Sequence, residues 1–402
     1  MTDVSQSVSV IWNDALRAYD LGPTHPFNPV RVVLAMRLAD ELGLLDHSNV
    51  ALVSDFAAAT DDDLLTVHTP ELLAAVKEAG AAPNSYHSEK FGIGTADTPA
   101  FSNMHEATAK VVGATMAAVD EVLQGRSQHA VNIAGGLHHS MPDQAAGFCV
   151  YNDAAVAIQR LLDNGVERVA YIDVDVHHGD GVQKAFWDEP RVLTISIHES
   201  PDSLFPGTGY PHEIGGPNAE GSAVNIAVPA GTGDQGWLRA LHAVAPQILK
   251  EFRPEFLVSQ HGCDTHFEDP LANLVVSVDG QRMAADACHR WSHRYSGGNW
   301  VALGGGGYEW VDVVPRAWTH LMGVLIGKPV PPRTALPLGF HEYVFELMGR
   351  RAPATMTDGF DPWPKNWDLG YDPADPLDAA VVATRKAVFP YHGIGTDPWH
   401  GF

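Results

Sequence analysis

Residues 171–181 read Tyr-Ile-Asp-Val-Asp-Val-His-His-Gly-Asp-Gly, and no other stretch limits the fold so tightly. Apolar and ionisable positions alternate up to a glycine turn, which is the period of a β-strand. On such a strand Asp173, Asp175 and His177 share one face, while Val174 and Val176 lie on the other. Ala170, Tyr171, Ile172 and the two valines suit a strand buried inside a parallel sheet; an exposed edge strand with a polar face is the alternative. Two carboxylates and an imidazole buried in one row need a compensating cation, and a divalent metal would supply it.

The cysteines point the ligand search the same way. Cys149, Cys263 and Cys288 form no C-x-x-C pair and no disulfide framework, so ligation falls to Asp, Glu and the 21 His. With 25 Lys+Arg against 49 Asp+Glu the formal net charge is -24, which argues against direct binding to nucleic acid and favours cationic or Lys-rich polypeptide partners. Residues 1–6 show no basic start of a secretory signal, and no uncharged apolar run approaches membrane-spanning length. The expectation is a cytoplasmic protein with no membrane contact.

Short apolar runs alternate with helical patterns almost to residue 330. Strands are expected at 8–12, 50–53, 130–134, 168–176, 191–197, 222–228, 255–260 and 299–303. Helices are expected at 69–79 (entered by Thr69-Pro70 and stopped by Gly80), 103–124, 152–164, 236–251 and 281–294. This order implies a single α/β domain with a mostly parallel sheet of about eight strands and helices on both faces. Composition shifts after residue 328 toward Pro, Asp and Trp, so 329–402 reads as an extension of the 1–328 body. Trp363, Trp367 and Trp399 are expected to pack it down, with a helix near 376–387.

In an open parallel sheet the ligand site lies beyond the carboxyl ends of the strands. Chemistry-bearing residues gather at four such ends. The run 130–134 enters Gly135-Gly136-Leu137-His138-His139, and 168–176 enters His177-His178-Gly179-Asp180. The run 255–260 enters His261-Gly262-Cys263-Asp264, and 299–303 enters four glycines and Tyr308.

These motifs, with Gly-Phe-Cys-Val-Tyr-Asn-Asp (147–153), Phe-Pro-Gly-Thr-Gly (205–209) and Cys-Asp-Thr…Asp-Pro-Leu (263–271), resemble the histone deacetylase-type zinc amidohydrolases, and most of all the bacterial acetoin-utilisation deacetylases. The resemblance spans roughly residues 9–325 and implies an arginase/deacetylase-like fold. It implies metal ligation by Asp175, His177 and Asp264, three ligands that leave an open position. Zn2+ is the first choice, with Fe2+, Co2+ or Mn2+ accepted by the same donors.

It also implies an acid–base pair, His138 and His139, oriented by Asp173 and Asp180, and an oxyanion donor, Tyr308. Phe148 and Phe205 would line a narrow acyl-lysine slot beside Gly147 and Leu271, with Asp97 at its rim and Arg31 at the base of an acetate pocket. A structural K+ would sit among Asp173, Asp175, His177, Ser196 and Ile197. His178, His261, His266 and Cys263 read as supporting or packing residues, with His266 the one close to Asp264.

The expected activity is metal-dependent hydrolysis of an N-acetyl or short N-acyl amide, with acetyl-lysine on a protein as substrate and an acetylated acyl-CoA synthetase as one candidate. An acetylpolyamine or other small-molecule amidohydrolase of the same fold is the rival. Residues 135–142 (Gly-Gly-Leu-His-His-Ser-Met-Pro) resemble the lysine-deacetylase form, and no long insertion builds a closed polyamine tunnel. A dimanganese ureohydrolase would need more bridging carboxylates. A non-catalytic interaction scaffold is the third reading, disfavoured because every expected catalytic residue is present.

Overall fold

The computed structural model describes residues 7–396; Trp399 lies outside them. Along the chain run β1 (Val8–Ile11), α1 (Val30–Glu41), β2 (Val50–Val53), α2 (Asp61–Leu64), α3 (Pro70–Ala81), α4 (Met104–Leu123), β3 (His129–Asn132) and α5 (Asp153–Asp163). Then come β4 (Val169–Asp173), α6 (Asp180–Ala185), β5 (Val192–Glu199), β6 (Ala223–Val228), α7 (Asp234–Phe252), β7 (Phe256–Gln260), α8 (Val278–Tyr295) and β8 (Trp300–Leu303). The chain continues through α9 (Val314–Leu325), α10 (Leu338–Met348) and α11 (Pro376–Val388).

All eight strands join one parallel sheet in the order β2-β1-β3-β8-β7-β4-β5-β6. Strands β3, β8, β7 and β4 are therefore neighbours at its centre. They are buried along their whole length, as a sheet covered on both faces requires. One face carries α4, which packs on β1, β3, α3 and α5. The other carries the row α1, α9, α8, α7 and α11, each packed on the next.

Local signals start the helices where the sequence indicates. Thr69 accepts from the Leu72 amide with Pro70 in the first turn, and the Asn152 and Ser277 side chains cap α5 and α8. Gly80 does not stop α3; the helix continues to Ala81, with Gly80 pressed against the start of α4.

Strand β4 is shorter than its alternation implies, ending at Asp173, so Asp175 and His177 stand on the loop beyond it. The carboxylates cause this. Asp173 Oδ1 accepts from the Asp175 amide at 3.2 Å, Asp175 Oδ1 from the His177 amide at 3.0 Å, and Asp264 Oδ1 from the Val176 amide at 3.0 Å. Side chains that satisfy their own neighbours' amides compete with the sheet ladder.

Residues 329–396 lie against the body through polar as well as aromatic contacts. Arg239 forks onto Asp378 (2.9 and 3.1 Å) and stacks over Trp367, while Arg316 and His266 both reach Asp358. Trp367 is buried, but Trp363 is 71% exposed and packs nothing down, contrary to the reading of the tryptophans as a set.

Candidate active site

The four central strands deliver the site. The turn after β3 presents His138 and His139, and Asp153 holds that turn in place. The Asp153 carboxylate accepts from the Gly136 amide (3.0 Å), the Leu137 amide (2.7 Å) and the Thr115 hydroxyl (2.5 Å). His138 Nδ1 lies 2.7 Å from Asp173 Oδ2, His139 Nδ1 lies 2.7 Å from Asp180 Oδ1, and the two Nε2 atoms are 3.1 Å apart.

Burial works against charge on both imidazoles, but they divide. Asp173, Asp175 and Asp180 together outweigh burial at His138 and hold it up at about 9. At His139, burial and the neighbouring His138 charge win, and its pKa falls below the usual histidine value. With Nδ1 directed at Asp180, neutral His139 keeps its proton there, and its Nε2 is the acceptor atom facing His138 Nε2.

Beside this pair, Asp175, His177 and Asp264 converge, each buried, with one ligand atom from each within 4.8 Å of the others. His177 Nδ1 is 3.1 Å from Asp175 Oδ1 and 3.2 Å from Asp264 Oδ2. Donors on a tetrahedral ion with bonds of about 2.0–2.2 Å stand roughly 3.3–3.6 Å apart, close to the two sides that meet at His177.

Its electrostatics ask for a cation. Burial, then the Asp175 charge, push the Asp264 carboxyl up to about 6. The two carboxylates hold His177 protonated, at about 10, against the pull of burial. That proton balances charge that a divalent ion would balance, so the donor set fits one.

The surrounding backbone closes on these carboxylates. A Cβ on Gly262 would stand 1.9 Å from Asp175 Oδ2, and one on Gly306 would stand 1.9 Å from Asp264 Oδ2. The Gly306 amide donates to Asp175 Oδ2 at 2.9 Å, and Gln260 Nε2 donates to the same oxygen at 2.7 Å. Within the glycine run 304–307, Gly306 lies against the Asp175 and Asp264 carboxylates, and Tyr308 closes the run. Asp269 accepts the Tyr308 amide (2.8 Å), and burial pushes the Tyr308 hydroxyl well above its usual range, so it stays a donor. Arg31 is buried, stacks on Phe27, and donates from Nη1 to the Gly305 carbonyl (2.7 Å) and the Gly307 carbonyl (3.3 Å).

Aromatic rings flank the opening. Phe205, 48% exposed, lies edge-on to His139 with centroids 5.0 Å apart, and Phe148 lies edge-on to Tyr308 at 5.6 Å. Phe148 adopts φ 67°, and Tyr19 brackets it by donating to its carbonyl (2.6 Å) and accepting the Val150 amide (3.0 Å). A Cβ on Gly147 would strike His139 Cδ2 at 2.3 Å. Leu271 and Asp97 are exposed; His25, edge-on to Phe148, has Nε2 3.2 Å from the Asp97 carbonyl.

Ser196 pairs with Asp173 in the β4–β5 register, and Ile197 follows it on β5; the Ser196 hydroxyl is 2.8 Å from His198 Nδ1. His178 is held by Thr208 and Gln183, His261 by Ser259, and Cys263 lies against Gly306. His266 turns to Asp358 in the C-terminal region, away from ligation.

Four supports, Asp153, Gln260, Asp269 and Tyr19, were not singled out from sequence. Asp153 and Gln260 had a readable signal, a polar side chain at a strand end or helix start within an otherwise apolar segment. Asp269 stands in the Asp-Pro-Leu motif, which carried the resemblance without giving this residue a role; Tyr19 had no signal.

A family model described as "Histone deacetylase domain" matches residues 25–325. The chain belongs to the histone deacetylase family. Among curated relatives, Acetoin utilization protein AcuC of Bacillus subtilis (strain 168) is 41% identical over 327 residues, covering 80% of this chain and 84% of the relative. Its namesake in Staphylococcus xylosus is 35% identical over 338 residues, 84% of this chain and 87% of the relative. The crystal structure of an HDAC homolog from Aquifex aeolicus matches 94% of this chain and 100% of its own at 30% identity and a TM-score of 0.79. An HDAC homolog complexed with SAHA matches to the same extent with a TM-score of 0.78. This family member is a deacetylase-type hydrolase similar to AcuC, on the family's eight-stranded parallel sheet.

Proposed function

We propose that the chain hydrolyses an N-acetyl or short N-acyl amide, with acetyl-lysine on a protein as its substrate. One observation carries this reading: a histidine whose Nδ1 is held by a carboxylate stands beside a three-donor triangle, the His139 and His177 rings being 5.6 Å apart. Asp175, His177 and Asp264 would hold a divalent ion, Zn2+ by first choice. Such an ion supplies Lewis acidity toward a carbonyl and lowers the pKa of water.

The chain's own groups do the rest. His139 Nε2 takes the proton of the attacking water and returns it to the departing amine. His138, oriented at Nδ1 by Asp173 and facing His139 across the two Nε2 atoms, tunes the electrostatics at the base. The Tyr308 hydroxyl donates to the developing oxyanion, and Arg31 steadies the backbone that aims it. Phe148, Phe205, Gly147 and Leu271 form a slot that strips water from an aliphatic chain, and exposed Asp97 accepts from substrate backbone amides at the rim.

The proposal includes a structural K+ among Asp173, Asp175, His177, Ser196 and Ile197, supported by the adjacency of Asp173 and Ser196. It also takes 1–328 as the catalytic unit and the remainder as its packed extension. A cytoplasmic setting accords with three buried, unpaired cysteines. Among the described residues no helix is long and apolar enough to cross a membrane. The acetoin-utilisation name of the relatives makes an acetylated acyl-CoA synthetase the protein substrate to try first.

The test compares Asp97→Ala with wild type on an acetyl-lysine peptide, an acetylated synthetase and acetylputrescine. Loss confined to the peptide and protein supports the reading. Strong turnover of acetylputrescine by the wild type, with none on peptides, favours a small-molecule amidohydrolase instead.

A further inference from the structure

At the opposite end of the sheet from the reaction site, three imidazoles meet. His129 begins β3, and His289 and His293 lie one turn apart in the last turns of α8. A nitrogen from each lies within 4.8 Å of the other two, and the His289 and His293 Nε2 atoms are 3.1 Å apart. The ring centroids are 5.1 Å (His129–His289), 5.0 Å (His129–His293) and 4.7 Å (His289–His293) from one another, all close to perpendicular. Trp300 backs the group, 5.5 Å from the His129 ring and 5.7 Å from that of His289.

We propose that His129, His289 and His293 form a second metal site, selective for first-row divalent transition ions such as Zn2+, Ni2+ or Cu2+. Two histidines at i and i+4 face the same way on a helix, which is how helical metal motifs place a ligand pair. The third ligand comes from a different element, so the site has a fixed depth and is more than a surface pair. His129 is 2% exposed, and its Nδ1 is buried with no hydrogen-bond partner. An unpartnered buried nitrogen is costly unless something fills the gap.

Protonation is a poor filler here. Burial, with the two neighbouring imidazoles adding to it, lowers His129 to about 3, and burial lowers His289 to about 4. Neutral imidazoles with no carboxylate among them favour a borderline ion over Ca2+ or Mg2+. His293 is exposed, so the fourth position opens to solvent. An ion there would tie the end of α8 to the start of β3 with no part in catalysis.

The experiment counts ions. Protein purified without an affinity tag is equilibrated with Zn2+, freed of excess, and its metal measured by mass spectrometry in wild type, His289→Ala/His293→Ala, Asp264→Ala and the combined variant. The proposal expects two ions per chain in the wild type, one in each of the first two variants, and none in the combination. Deacetylation by the double-histidine variant should match wild type, and Cu2+ added to Zn2+-loaded wild type should show coupling to several nitrogens by EPR. An ion count that is the same in the double-histidine variant as in wild type overturns it, whether that count is one or two. His293→Gln alters only an exposed side chain, so unchanged second-ion binding in that variant would count against the site even if the double variant folds poorly.

Discussion

Gly306→Ala should remove the catalytic metal while leaving the fold intact. Gly306 needs no left-handed backbone, so the substitution adds only a methyl group. That methyl would sit 1.9 Å from Asp264 Oδ2 and 2.9 Å from Asp175 Oδ2. Ordinary van der Waals contact begins near 3.4 Å, so the Asp264 carboxylate must retreat by about 1.5 Å. Metal ligands tolerate about 0.2 Å. Asp264 is walled in, with Oδ1 committed to the Val176 amide, so it cannot swing to a second ligating pose. Metal affinity should fall by more than the 10–100-fold typical of losing a group that merely supports a ligand. The assay is Zn2+ content and competition against a chromophoric chelator, with far-UV circular dichroism and thermal melting as fold controls. Gly395→Ala, which meets nothing within 4 Å, is the matched control. A folded Gly306→Ala enzyme that binds Zn2+ as tightly as wild type would refute the reasoning.

His139→Ala should keep the metal but lose about 10²–10⁴ in turnover, the worth of positioned proton transfer, with His138→Ala milder; equal small losses at both would leave only a structural pair. Tyr308→Phe keeps the ring and its packing and should slow kcat by about 10²–10³ with KM little changed; wild-type turnover would take the hydroxyl out of the mechanism. Arg239→Met leaves Asp378 buried without its ion-pair partner, which should cost about 3–5 kcal/mol. That loss would appear in the urea midpoint and as faster proteolysis beyond residue 328; an unchanged midpoint would mean the pair does not hold the C-terminal region.

The architecture was legible because a parallel sheet buried on both faces writes apolar runs punctuated by helix caps. All eight strands fall within a few residues of their expected places. What misled was the run at 173–177. Alternation continues there, but carboxylates that bond neighbouring amides end the strand at Asp173, and hydropathy does not register that competition. Helices α1, α2, α6, α9 and α10 were not marked from sequence; α9 does carry Arg316, Thr319 and His320 at helical spacing, but that stripe is buried with the rest of the helix. Strand order was illegible too, since β8 inserts between β3 and β7 by crossovers that leave no local trace. Candidate ligands were legible as residue types at strand ends. The roles of their supports were not, because Gln260 and Asp269 act through hydrogen bonds to residues 85 and 39 positions away in the chain.

The most direct test of the central claim is acetate release from an acetyl-lysine peptide by chelator-treated protein before and after one equivalent of Zn2+ is restored, in wild type and Asp264→Ala. The account predicts no turnover after chelation, recovery in wild type, and none in Asp264→Ala. Turnover that survives complete metal removal, or recovers equally without the Asp264 carboxylate, would contradict it.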